Sequence, residues 1–403
     1  MNNSPLEFLA KIYGNVVKYD ADGNPSVFVP FYQMKSSDLV AGLPDHIHPA
    51  FKINGEYHDR ILLGKYKAGE NGKTGGSLVS MPNIMPVRSV SADAMLERMK
   101  SAGSGITGMT VTDYGFIKLL AQKHGWVPHG NNNYGVDYRD GTPWKTSETI
   151  TLNLKRCFEG YEYTAKVAHT STAELRPDLA PKYWEKGKFI GGISMDTTIE
   201  NLHQTGYRTL NGTGPKNWYL WNDVGNMSDL IGSSYEMNYG YRIMEGELQI
   251  LPDNNAADPT ADLSESSAAW KAILPHLSDD GFTLVTPGTP GTLHWNYVDD
   301  TIILDTRCDD FASGNKNIYF KNLTAHQTRL PYVPYIVKEL GLFPTDANDT
   351  TPGRVYIAFA HGDYVARRGG SCSSASSAGL GSLSCVNGRG STITACGGRP
   401  RSL

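Results

Sequence analysis

Histidine and carboxylate crowd one short stretch, Asp45-His46-Ile47-His48-Pro49, and His58 follows shortly after. Imidazole and carboxylate are ligands that a transition metal takes, and two histidines two apart on a strand would point the same way. A pair beside a proline is equally the composition of a loop. The remaining histidines are scattered and pair with no nucleophile, so neither a metal site nor a catalytic residue is expected here. Gly-Glu-Asn-Gly-Lys-Thr-Gly-Gly, ending at Gly76, has the look of a phosphate loop. That motif needs a glycine where Lys67 stands and a helix after Thr74, and neither is present. It is a polar turn.

The five cysteines, at 157, 308, 372, 385 and 396, contain no CxxC pair and are odd in number. Zinc and a disulfide framework are therefore unsupported. No cysteine has a neighbouring base to make it a thiolate. Free thiols are expected, with Cys372, Cys385 and Cys396 unbridged to one another. The sequon Asn322-Leu323-Thr324 has meaning only in a secretory context.

Residues such as these need elements to hold them. Residues 26–34 and 58–68 read as strands, apolar and aromatic between turn residues. Ala92, Met95, Leu96 and Met99 fall on one helical face, which predicts a helix near 91–102 with Ser91 as N-cap and Gly103 as C-cap. A second helix is predicted near 113–124, capped by Thr112 or Asp113, stopped by Gly125, and carrying Phe116, Ile117, Leu119 and Leu120. Residues 136–206 are turn-rich with little periodicity and read as a surface insertion. Further strands are predicted at 246–252, 281–287, 301–306 and 354–360, with a short helix in 333–344. Strands, two helices, then strands and loops give an α+β class with an antiparallel sheet. No βαβ alternation supports a nucleotide-binding sheet. The 403 residues, 39% hydrophobic, are ample for a core, read as one domain over 1–403. No apolar run spans a bilayer, and the start reads as no signal peptide. Net charge −4 excludes a polyanion-binding surface as a whole.

The last 35 residues, from Gly369 to Leu403, are mostly small residues between glycines, yet hold three of the five cysteines. Arg367 and Arg368 just before this stretch, and Arg389, Arg399 and Arg401 within it, lack interleaved aromatics, so they read as hydrogen-bonding struts rather than a nucleic-acid surface. Over residues 362–403, Lys, Glu, Gln, Met and Trp are all absent, although the whole chain has 11 Met and 7 Trp. These five types are the ones an Asn codon, AAC or AAT, cannot reach when only its adenines are replaced. Ser, Thr, Ala, Gly, Cys, Val, Ile, Asp, Tyr and Asn are reachable, and those residues stand here.

The C-terminal stretch resembles the variable region of diversity-generating retroelement target proteins. In that family an Arg-Gly-Gly opens the region and a Gly-Arg element closes it. Here these are Arg368-Gly369-Gly370 and Gly397-Gly398-Arg399-Pro400-Arg401, with Ala378 to Leu380, Leu383 and Arg389 between. Residues 48–66, 80–95, 108–120, 129–135, 208–215 and 228–257 resemble successive blocks of the phage-borne members with a C-type lectin fold. Two Trp of the last block are replaced by Tyr235 and Met237, and its Asn by Ser233.

The resemblance implies a C-type-lectin-like α+β fold, with two helices packed on antiparallel sheets and loop-rich surface insertions. It implies a receptor-binding protein or adhesin on a phage tail, or alternatively on a bacterial cell surface. Its partners would be a bacterial cell-surface protein or glycan and other phage tail proteins, with homo-oligomerisation, as a trimer, allowed. Nucleic acid, membrane insertion, cofactor and metal are not implied. The alternatives are a structural tail component and, on the same fold, a formylglycine-generating enzyme, whose chemistry needs a copper-binding cysteine pair.

Carried onto this chain, the variable ligand-binding positions are Asp363, Tyr364, Ser371, Cys372, Ser373, Ser374, Ala375, Ser376, Gly381, Ser382, Ser384, Cys385, Val386, Asn387, Ser391, Thr392, Ile393, Thr394 and Ala395. The fixed scaffold is Arg368, Gly369, Gly370, Leu380, Leu383, Arg389, Gly398 and Arg399. About twenty positions match one side of a standard interface, roughly 20–30 residues. Because diversification is tolerable only where side chains are not needed for packing, the small polar positions are expected to be exposed on one face. Leu380, Leu383 and the arginines are expected to be buried or hydrogen-bonded.

Overall fold

The computed structural model describes residues 4–103, 105–193, 208–309, 311–323 and 328–403. The end of the expected insertion, 194–206, and Thr324 of the sequon lie outside the described residues.

The protein is a mixed α+β, sheet-rich fold with five α-helices among the described residues. The largest sheet runs, in order, through Phe282–Val285, Lys271–Pro275, Glu247–Ile250, Tyr235–Met244, Asp363–Gly369, Gly379–Cys385, Arg354–Phe359 and Gly314–Tyr319. All the strands expected at 246–252, 281–287, 301–306 and 354–360 are present, each trimmed by a residue or more at its ends. The expected antiparallel pairing holds for most of this sheet, with two parallel exceptions. Arg354–Phe359 pairs in parallel with Gly379–Cys385, and Tyr235–Met244 pairs in parallel with Cys396–Gly397. The returning C-terminal chain causes both.

Two helices frame this sheet. Ala92–Lys100 starts at Ser91, whose hydroxyl accepts from Ala94 N–H. Its C-cap is Ser101 rather than Gly103, which lies two residues further on in the left-handed region at φ 68°. Met95, Leu96 and Met99 pack against Met237, Tyr239 and Val365 of the large sheet. The second helix, Val111–His124, begins two residues before the expected start. Thr110 is its cap, and the Asp113 carboxylate accepts from Thr110 N–H in a capping box. Gly125 ends it with φ 63°. Every residue from Val111 to Ala121 is buried, because the helix lies between the large sheet and a second, five-stranded sheet. Its ions are accordingly paired: Asp113 with Arg401 and Lys118 with Asp349.

The five-stranded sheet takes in Val16–Tyr19, Pro25–Tyr32, Arg60–Gly64, Pro400–Ser402 and Thr107–Gly108. The end of the chain thus becomes an interior strand between two others. The described part of the expected insertion is ordered. It forms a three-stranded sheet of Lys155–Phe158, Tyr161–Ala165 and Trp184–Phe189, over a small core of Trp144, Ile150, Phe158, Tyr163 and Trp184. Cys372 from the C-terminal region completes that core.

Candidate functional site

Strand alternation decides what the C-terminal region can present. The Asp363–Gly369 strand pairs with Tyr235–Met244 and with Gly379–Cys385, which in turn pairs with Arg354–Phe359. Register sets Met237, Arg367, Ser384, Tyr356 and Asn317 abreast, so they share one face. Leu383, Cys385, Val355, Ile357 and Ala366 point the other way into the main core. Tyr319 and Arg354 pair abreast at the far strands, the guanidinium carbon 4.0 Å from the Tyr319 ring centre.

Two loops lie over this face. The first, from Gly370 to Ala378, opens where Gly369 and Gly370 take φ 83° and 86°. A Cβ on Gly369 would stand 2.4 Å from Leu230 O, so the Arg-Gly-Gly turn tolerates no side chain there. Three serine hydroxyls of this loop each lie beside the phenol of a tyrosine from a different part of the chain: Ser373 beside Tyr134, Ser374 beside Tyr235 and Ser376 beside Tyr319. Ser376, with Arg354 nearby, holds the Tyr319 phenol below its ordinary range, whereas burial raises Tyr235 and Tyr134. The second loop, Val386 to Ala395, is tied by Arg367, which donates to Asn387 O at 2.9 Å. Arg389 donates to Asp363 at 2.8 Å and to Asp93 at 2.9 Å. The loops converge on Tyr235, whose side chain meets Ser374 and whose N–H donates to Ala395 O at 2.8 Å.

Beside Ser376 a groove of about 580 Å³ runs between Tyr319, Lys321, Pro352 and Tyr138, the last supplied by the insertion. Sequence reading missed Tyr134, Tyr138, Tyr319, Arg354 and Tyr356. Tyr134, Tyr138 and Tyr319 lie far from the C-terminal stretch in sequence, and Arg354 and Tyr356 stand on the strand just before it; only sheet register and the insertion set them against its loops.

Burial corrects the expectation of exposure at many positions. Ser376, Thr392 and Thr394 are exposed, and Ser373, Ser374, Ala375, Val386, Asn387, Ser391, Ile393 and Ala395 are half-buried. Ser371, Cys372, Ser382, Ser384 and Cys385 are buried instead. Cys385 points into the main core, Cys372 into the insertion's core, and Ser382 and Ser384 lie under the loops. Gly381 is closed as well, since a Cβ there would stand 2.6 Å from the Phe320 ring. Asp363 is a strut between Arg389 and Arg242, Tyr364 packs at the edge of the main core, and Ile393 packs beside the 92–100 helix. No disulfide joins any of the five cysteines.

The scaffold positions are anchored. Arg368 lies under the sheet, 4.6 Å from the Tyr114 ring centre, and donates to Gly341 O and Leu380 O at 2.9 and 3.0 Å. Arg399 is wholly buried and bonds Glu236, which also receives Lys67 at 2.8 Å. Leu380 and Leu383 are core residues, and Gly398 lies against Met99.

No protein-family model matches this chain, and neither does any curated protein.

Two other constellations were candidates for metal. Asp45 turns to Lys35 and Ser37, His46 to Glu339, and His48 Nδ1 accepts from Ala50 N–H. The three share no common point, so they are not a ligand set. His129, Asp137 and Asp140 do lie close together. Asp137, however, accepts from Arg139 Nε and a second Arg139 nitrogen at 2.7 and 2.8 Å, from Gly130 N–H and from Asn132. Burial works to raise it, and Arg139 outweighs burial and holds it below the usual range. Its lone pairs are committed to bracing the loop. Among the described residues no helix is long and apolar enough to cross a membrane.

Proposed function

We propose that this protein is a ligand-recognition protein whose C-terminal region is diversified by adenine-directed retroelement mutagenesis, on a C-type-lectin-like frame. The observation that carries the reading is the division of labour in that region. Arg367, Arg368, Arg399, Arg401, Leu380 and Leu383 are buried struts, while Ser373, Ser374 and Ser376 form a loop of small side chains beside tyrosines from the constant part of the chain. Tyrosine is an effective interface residue because it offers large area with little entropy to lose. A face of this build takes its affinity from fixed aromatics and its choice of ligand from the small residues between them. The ligand class is a protein or glycan of a bacterial surface, and the location a phage tail or, alternatively, a cell surface.

Burial of Cys157, Cys372, Cys385 and Cys396 favours binding over the copper chemistry of the enzyme alternative, which would need a pair of accessible thiolates. Sequencing sibling copies of the gene tests the proposal. Adenine-templated differences should cluster at Ser373, Ser374, Ser376, Asn387, Ser391, Thr392 and Thr394, beside a template repeat and a reverse transcriptase gene. A C-terminal region constant among copies would remove the reading.

A further inference from the structure

The Asp45–His48 stretch, which holds no ligand set for a metal, borders a different kind of site. Glu339, on the short Tyr335–Glu339 helix, has a side chain 1% exposed. Its Oε1 accepts from Ser36 Oγ and from His46 Nε2 at 2.7 Å. Its Oε2 is buried and has no hydrogen-bond partner. A buried acceptor without a partner is costly, and Glu339 lines a cavity of about 220 Å³.

The cavity has two unlike walls. On one side His46, Tyr335 and Phe282 stack edge to face, with ring centres 5.5 and 5.2 Å apart. On the other, Tyr57 lies beside Lys52, which is paired with Asp253 at 3.2 Å. The floor is aliphatic, with Ile250 and Ile336. Lys52 and His46 offset Asp253 and Glu339, so no strong net charge recruits a free ion. The volume is below the roughly 300–1,000 Å³ of a drug-sized pocket, so it suits one ring.

We infer that this cavity binds a single hexose-sized sugar ring, free or at the end of a glycan. The C–H face of the ring would stack on Tyr335 and Phe282. One hydroxyl would donate to the Glu339 carboxylate, whose unpaired oxygen is sealed behind the cavity wall until the carboxylate turns, and others would meet the Lys52–Asp253 pair. The inference is independent of the C-terminal face, from which none of these residues comes.

The test is titration of the full chain, followed by NMR of its aromatic and imidazole resonances. The probes are methyl glycosides of glucose, galactose, mannose and N-acetylglucosamine, with n-butylammonium as the cationic control. At least one glycoside should bind saturably in the millimolar range and shift Tyr335, Tyr57 and His46. Glu339→Gln should weaken it at least tenfold. Tyr57→Ala, at a residue more than half exposed whose loss leaves the core intact, should weaken it several-fold. An oligosaccharide ending in the same sugar and binding tenfold tighter would mark a glycan as the source, and equal affinity would mark the free sugar. Saturation by n-butylammonium alone, or binding unchanged in Tyr57→Ala, would overturn the inference, as would failure of every glycoside.

Discussion

Arg399 and Glu236 meet in the interior with both side chains wholly buried, joined by contacts of 2.7, 3.0 and 3.1 Å. Arg399 also donates to Gly64 O, Lys65 O and Ser228 O at 2.8–3.0 Å, so one guanidinium ties its strand to the 64–65 segment, to Ser228 and to the strand of Glu236. Burial works to raise the Glu236 carboxyl, and Arg399 and Lys67 outweigh it, holding it below the usual range. Removing one partner of such a group strands the other, at a cost of about 3–5 kcal/mol. Arg399→Met and Glu236→Gln should each show that loss in urea unfolding. Because the folded value is depressed, the stabilisation is present above the ordinary carboxylate value and lost as pH falls through the depressed one. Wild-type protein should lose stability on acidification more steeply than Glu236→Gln. Equal acid profiles would show that Glu236 is not charged in the fold.

The exposed positions offer a second prediction. Replacing Ser376, Thr392 and Thr394 together with Tyr or Asp should leave the melting temperature within a few degrees, since surface changes cost about 0.5 kcal/mol or less each. Leu383 is wholly buried among Tyr241, Val355 and Phe320, and Leu383→Asp should unfold the region by stranding a charge there. Thermal melts of the two variants check this. A large loss in the triple variant with none in Leu383→Asp would reverse the assignment of surface and core.

Local signals were the legible part of this chain. Ser91 and Gly125 cap helices because hydroxyl and glycine chemistry is read within a turn of the backbone. Thr110 was missed because Thr112 and Asp113 offer the same chemistry two and three residues on, and only the Asp113–Thr110 reciprocal bond selects between them. The C-terminal arginines were readable as struts, whereas their carboxylate partners Glu236, on a strand, and Asp113, on a helix, were not, because only the packing of sheets and helix brings them near. Exposure failed for a related reason. Ser382 and Ser384 have the polar composition of a surface, yet they lie on a strand face that two loops of the same region cover.

Thiol chemistry gives a third prediction. Burial pushes Cys385 up to about 12 and Cys396 up to about 11, so both are protonated at neutral pH. Cys308 is the half-buried one. At pH 8 a thiol reagent should label Cys308 first, and should reach Cys385 and Cys396 only as fast as the protein opens. The raised values also mean that the stability they lend is present below the ordinary thiol value and lost as pH climbs toward 11–12. Rapid native labelling of Cys385, read by peptide mass, would contradict its burial.

Cys372 carries the last prediction, because it joins the C-terminal region to the insertion. Its backbone is held on both sides: its N–H donates to Ser233 O at 3.2 Å, and its carbonyl accepts from Tyr134 N–H at 2.7 Å. The side chain is wholly buried in the cluster of Trp144, Phe158, Tyr163 and Trp184. A larger residue there cannot relax by moving its own backbone, so the insertion must give way. Overpacking of this kind costs about 1–3 kcal/mol. Cys372→Tyr should therefore loosen the 144–189 module and displace Tyr138 from its groove beside Ser376, while the main core holds. Limited trypsin digestion should cut the variant faster at Lys145, Arg156 or Lys182, and Cys372→Ala, which only removes a small side chain, should be cut near the wild-type rate. Unchanged cleavage of Cys372→Tyr would show that the insertion seats on the body without this residue. Faster cleavage with altered ligand choice would mean that one buried position of the C-terminal region can steer recognition by moving the module beside it.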